Sequence, residues 1–262
     1  MQDQGAETVP DSPAPHLISK PQRTAARVAG FIFLFLMVTA FFSQVYVPSS
    51  VIVDGDAAAT ARNIVSSELL FRISIAMDIL IFACDIVLAV ALYVLLRPVS
   101  PGLAMLAMLW RAAQATIMGM NTLSFLVVPS ILSGPDDLRA LSPDQLEALA
   151  SAYIGAHTAG FNIGLVFLGL GSAVFSYVLY KSNYVPRVLS AWGVFANLSL
   201  AACTLAIIVL PGAEDMLVIQ FLRYVPVFFF EVIAGVWLLV KGVRVRAAGG
   251  PATVRKVVSR SP

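Results

Sequence analysis

Six full charges sit inside long apolar stretches of this chain: Arg72, Arg111 and Arg223, balanced by Asp78, Asp85 and Glu231. Charge in a hydrocarbon environment is expensive, ~2.5–3.5 kcal/mol per residue on insertion scales, so it persists paired, facing a bundle interior, and often for function. Asp78 and Asp85 are seven residues apart and share one helical stripe. Arg111, Gln114, Met118 and Asn121 share a face by the same arithmetic, and Gln220 and Glu231 are nearly eclipsed, with Arg223 on the adjoining ridge. Pro226 lies between them and predicts a kink beside Arg223. The chemistry open to such a set is narrow: a carboxyl can carry a proton, and a guanidinium can neutralise an acid or hold an anionic group.

The elements that must position these residues are membrane helices. The chain is 59% hydrophobic and 12% charged, with a mean hydropathy of +0.86, a composition that a water-exposed globule cannot hide. Six apolar runs are long enough to span a bilayer: Ala25 to Val47, Leu69 to Leu96, Gly102 to Leu132, Ala150 to Tyr180, Val185 to Leu210 and Met216 to Val240. The expected fold class is therefore all-α, a polytopic bundle of six transmembrane helices. The expected organisation is a disordered tail over 1–24, a transmembrane domain over 25–242 and a basic tail over 243–262. Lysine and arginine follow alternate loops, which places both termini in the cytoplasm by the positive-inside rule. The late, long first run is a membrane helix and no signal peptide.

The turn at 97–101 is short enough to force an antiparallel hairpin, and it fixes relative depth. Counted from it at ~1.5 Å per residue, Asp85 and Arg111 both reach roughly 15 Å, near the bilayer midplane. Glu231 comes to a similar depth from its own end of the last span. Two strata follow. The inner holds Arg111 with Asp85 and Glu231; the outer holds Asp78 paired with Arg223, plus Asn121, His157 and, at the rim, Arg72. Two acids beside one arginine need not both ionise, so Glu231 or Asp85 is expected to bind a proton or exchange a cation. Arg72 also reads as a snorkelling or loop-capping residue at the interface.

His157 is read either as a hydrogen-bonded structural residue or as a proton relay, and Asn162 lies about 140° from it on an ideal helix, on a different face. Ala156, Gly160 and Gly164 repeat every fourth residue and predict close packing of a centrally placed fourth span. Short surface helices are expected after the Asp56 cap and after the Ser142–Gln145 capping box. Cys84 and Cys203 have no CxxC spacing and read as small buried hydrophobes. No lysine falls within a span, one intramembrane histidine cannot ligate haem twice, and no cluster has zinc spacing. No cofactor, no metal and no nucleic-acid partner is expected.

The segments VPSSVIVDGDAAATARNI (47–64), LFR (70–72), Asp78, DIVLAVALYVLLRP (85–98), RAAQ (111–114) and HTAGFNIGLVFLG (157–169) together resemble the bacterial membrane-protein family called domain of unknown function 4386. The resemblance covers about 25 to 240. It implies six helices and the bacterial cytoplasmic (inner) membrane, and it implies an aspartate at the position where this chain has Asn162. It supplies no activity. The leading reading is a polar intramembrane pocket, built from Asp78, Asp85, Arg111, His157, Arg223 and Glu231, that binds or moves a small solute or proton across the lipid bilayer. The alternative is a structural or regulatory membrane subunit whose buried ion pairs only fix helix register. A third is an intramembrane lipid-modifying enzyme with His157 as base, which lacks a nucleophile or metal.

Overall fold

A computed structural model of the chain describes residues 18–133 and 140–243. The polar N-terminal tail up to residue 17, the loop charges Asp136, Asp137 and Arg139, and the basic tail from Arg244 onward lie outside the described residues. Within them the chain is helical and has no strand. The elements are α1 (Lys20–Ala40), a π-helical stretch (Phe41–Tyr46), α2 (Val47–Val51), α3 (Ala57–Ser66), α4 (Glu68–Leu96), α5 (Pro101–Leu132), α6 (Pro143–Ser182), α7 (Arg187–Val209) and α8 (Leu217–Val240), with a 3₁₀ turn at Ala213–Asp215. Six helical segments are long and apolar enough to cross a membrane: Lys20–Val51, α4, α5, α6, α7 and α8.

Local chemistry sets the helix starts. α1 begins at Lys20, ahead of the apolar run and inside the stretch expected as tail, because Ser19 and Gln22 form a capping box and Pro21 suits the first turn. The Gln22 amide also donates to the Leu95 carbonyl (3.3 Å) and to Tyr184 Oη (3.2 Å), tying this start to the ends of two other spans. Asp56 caps α3 by accepting from the Ala59 N–H at 2.8 Å, as its position predicts. Ser142 and Gln145 also form their capping box. The helix they open is no separate surface helix, however: it runs on as α6, because nothing from Asp144 to Ala152 breaks a helix. At 40 residues α6 is about 60 Å long and projects beyond the bilayer.

Each span packs on its neighbours in sequence, and the first span closes against α8, so the six form a ring in chain order. α6 takes a place in this ring and not its middle, contrary to the glycine-based expectation. Its small residues serve two flanks. A side chain at Gly160, Gly164 or Gly171 would strike Asn121, Met118 or Arg111 of α5, and one at Gly169 would strike the backbone of Asn197 and Ala201 on α7. The closing seam works the same way: a Cβ on Gly30 of α1 would meet the backbone of Leu239 and Gly235 on α8.

The ring's interior is filled in layers. At the end carrying the short turns (97–100 and 183–186), buried Leu92, Leu95, Leu96, Phe175, Val178, Leu179 and Leu238 form one apolar cluster. Ile81, Phe82, Met118, Leu165, Leu200 and Phe230 form the middle one. At the opposite, loop end, Val51, Ile64, Phe71, Phe125, Val128 and Ile131 form a third, against which Leu146 and Leu149 of the α6 extension pack. Asp78, Asp85 and Arg111 lie between these clusters along α4 and α5.

Candidate functional site

Asp85 and Arg111 form a buried ion pair through Asp85 Oδ1 and Arg111 Nη2, with side chains 6% and 3% exposed. The α4–α5 turn brings them level, as the depth count requires. The second carboxylate oxygen, Oδ2, accepts from Gln114 Nε2 at 3.0 Å, and Gln114 itself is fully buried one turn beyond Arg111. Arg111 Nη1 donates to Ser172 Oγ on α6 at 3.2 Å. Three spans are thereby joined by one charged cluster. Arg111 Nε and Gln114 Oε1 remain buried with no hydrogen-bond partner among the described residues.

Glu231 approaches the cluster from α8. It makes no hydrogen bond or ion pair with any described residue, yet it lies close enough to feel the charges of Arg111 and Asp85. Its side chain lines a cavity of about 20 Å³ whose walls are mostly apolar, Phe33, Leu92, Phe175 and Phe230 among them, with Ser172 and Ser176 as the other polar groups. That volume exceeds the ~10–15 Å³ needed for one water, and two hydroxyls and a carboxyl supply the polar partners such a water needs.

The outer stratum differs from the expected pairing of Asp78 with Arg223. Asp78 Oδ1 accepts from Ser43 Oγ at 2.8 Å and from Gln44 Nε2 at 3.2 Å. Both donors sit in the π-helical stretch, where the Val47 N–H bonds the Phe42 carbonyl, one residue further back than in an α-helix. Pro48 accounts for it: with no N–H and a ring that crowds the carbonyl four residues earlier, it breaks the ordinary register just above. Arg223 instead donates from Nη2 to Asn162 Oδ1 on α6, and its guanidinium lies 4.8 Å from the centre of the Tyr224 ring. Each of the two therefore finds neutral partners, Asp78 on the first span and Arg223 on α6. α8 is continuous through Pro226, whose carbonyl accepts from Trp192 Nε1 at 3.1 Å.

His157 and Asn121 form an interhelical fastener. Asn121 Nδ2 donates to the His157 carbonyl at 2.7 Å, and His157 Nδ1 lies 3.4 Å from the Asn121 carbonyl, to which it donates in the Nδ1–H tautomer. The imidazole also stacks on Phe125, ring centres 3.5 Å apart. His157 and Asn162 thus serve different neighbours, α5 and α8. Asn121, placed in the outer stratum with Asp78, bonds His157. Arg72 leaves the buried set: its Nε donates to Glu68 at 2.7 Å, and both side chains are about half exposed, at 47% and 48%. Gln220 donates to the Glu214 carbonyl at 2.8 Å and holds the 3₁₀ turn. Both cysteines are free. Among the described residues no three His, Cys, Asp or Glu side chains come together as a metal site.

Sequence reasoning missed Ser43, Gln44 and Ser172. Pro48 following an apolar run is the signal that could have located the first two; a lone serine in an apolar helix, such as Ser172, carries none.

Fold and site together define a multi-pass membrane protein of six spans with charged side chains buried inside the ring. Residues 28–242, which hold every charge of that interior, match the model of the family described as Domain of unknown function (DUF4386), and the chain belongs to that family. It is similar to an uncharacterized protein of Archaeoglobus fulgidus, 30% identical over 168 residues that cover 62% of this chain and 80% of the relative. No solved structure is significantly similar.

Proposed function

We propose that this membrane protein binds and exchanges a proton at Glu231, beside the Asp85–Arg111 pair. The observation that carries the reading is the cavity: a carboxyl with no hydrogen-bond partner among the described residues lines a space that fits one water, within electrostatic reach of an ion pair. Of the two cargoes a polar intramembrane pocket could serve, that size favours a proton over a solute. Ser172, which both lines the cavity and accepts from Arg111, supports a water-bridged connection from Glu231 to the pair. A second reading, in which buried charge only fixes helix register, is favoured for Asp85 and Arg111 by the partners on both Asp85 oxygens. The two readings divide at Glu231.

The orientation we propose puts the turn end in the cytoplasm. Lys20, Arg23, Arg27, Arg97, Lys181, Arg187 and Lys241 gather there, whereas Asp54, Asp56, Glu68, Asp144, Glu147, Glu214 and Asp215 occupy the loop end. Lys181 over Tyr177 and Arg187 over Tyr180 add the pairing of basic and aromatic side chains typical of a membrane interface. The bacterial inner membrane suits this arrangement.

The test is the pH dependence of thermal unfolding in lipid nanodiscs. The wild type is expected to carry a step that Glu231→Gln removes while remaining folded at the pH of its maximum. Superimposable profiles for the two proteins would sink the proposal and leave the register reading.

A further inference from the structure

Arg223 is the buried cation that the bundle leaves without an acid. It is 5% exposed, and its one hydrogen bond to protein goes to the neutral amide of Asn162, itself 8% exposed. Its Nε is buried with no acceptor among the described residues. The ion pairs found there are Arg111–Asp85 and the exposed Arg72–Glu68, and neither involves it. The charged or titratable groups that act on it through space are Tyr224, Cys203 and the exposed Glu214 of the 3₁₀ turn. A carboxyl in such a place can discharge itself by taking a proton. A guanidinium cannot, because it stays protonated at any pH a protein survives. Its charge inside a bilayer then calls for an anion.

We propose that Arg223 and Asn162 form a binding site for an anionic oxygen group, a phosphate or carboxylate, in the loop-end half of the bundle. Nε and Nη1 have no protein acceptor among the described residues and are the donors left for the ligand, and guanidinium is the side chain best matched to oxyanions. Asn162 holds Nη2 from α6, across the interior, since α7 separates α6 from α8 in the ring. The face of the Tyr224 ring adds a second support, at 4.8 Å. Arg223 lies six residues into α8, about 9 Å from its loop end, a depth that both a lipid headgroup phosphate and a free oxyanion can approach. The site is independent of the proton reading for Glu231, because no contact joins the two.

The experiment uses the purified full chain in nanodiscs. In one arm, pure phosphatidylcholine discs are titrated with sodium phosphate or sodium acetate, ionic strength held constant with sodium chloride. In the other, phosphatidylcholine is compared with a phosphatidylcholine–phosphatidylglycerol mixture at fixed salt. The wild type is expected to gain a few degrees of melting temperature in one arm, which identifies the source of the anion. Arg223→Gln should lose the gain, and Asn162→Asp should lose it too, because the carboxylate supplies internally what the ligand supplies from outside. Arg72→Gln should keep it. Absence of any gain in wild type, or an undiminished gain in both Arg223→Gln and Asn162→Asp, would overturn the assignment.

Discussion

Asp85 and Arg111 each satisfy a charge that the bilayer would otherwise leave bare, and their cluster with Gln114 and Ser172 joins α4, α5 and α6. Breaking such a pair from one side leaves the other charge buried alone, at a cost of about 3–5 kcal/mol. Asp85→Asn and Arg111→Gln are therefore expected to lower stability by that order, measured by thermal unfolding in nanodiscs. Arg72→Gln, which removes a half-exposed pair within one helix, should cost under ~1 kcal/mol. The inner pair was legible in the sequence because one short turn fixes the depth of both residues and makes their helices neighbours. The outer pair was not. Asp78 and Arg223 come to comparable depths, but depth counting says nothing of position around the ring or of competing neutral partners, and each bonds those instead: Ser43 and Gln44 for Asp78, Asn162 for Arg223.

Among the elements, caps read most faithfully, because a cap is a contact between residues three apart: Ser19 with Gln22, Asp56 with Ala59, Ser142 with Gln145. The length of the helix beyond a cap is harder to read. The Ser142 box opens a forty-residue helix where a short surface helix was expected, since loop composition and helix-forming composition overlap there. The π-helical stretch is likewise a consequence of one proline acting on residues already helical in pattern. Glycine contacts give the sharpest element-scale prediction. Gly30→Val is expected to destabilise the closure of α1 on α8 by about 1–3 kcal/mol, since the added side chain meets backbone atoms that cannot step aside. Gly119→Ala, with nothing within 4 Å of the new methyl, should leave thermal unfolding unchanged or slightly improved.

At the scale of the whole molecule, the tally of three arginines against three acids changes meaning. With Arg72 paired to Glu68 outside, the interior holds Asp78, Asp85 and Glu231 against Arg111 and Arg223, so one acid is in surplus. A proton on Glu231 removes that surplus in the sum. The turn-end cluster draws on the first span, α4, α5, α6 and α8, whereas the loop-end cluster is built from α2 to α6 and leaves the α7–α8 side, where Arg223 sits, outside it. The six-span count and the membrane location were readable from hydropathy alone; the ring order was not, because it depends on which helix faces meet. The orientation proposed above, with the turn end cytoplasmic, rests on the distribution of basic side chains. Single cysteines introduced at Ser100 and at Gly55, in a background lacking Cys84 and Cys203, test this. A membrane-impermeant maleimide added to intact cells should label the second and not the first.

Glu231 as the proton-carrying group is tested most directly by infrared difference spectroscopy of the reconstituted protein between acidic and alkaline pH. Proton exchange at this carboxyl predicts a protonated-carboxyl C=O band that appears with acidification in wild type, disappears in Glu231→Gln and persists in Asp78→Asn. A band that survives in Glu231→Gln, or no band in wild type, contradicts it.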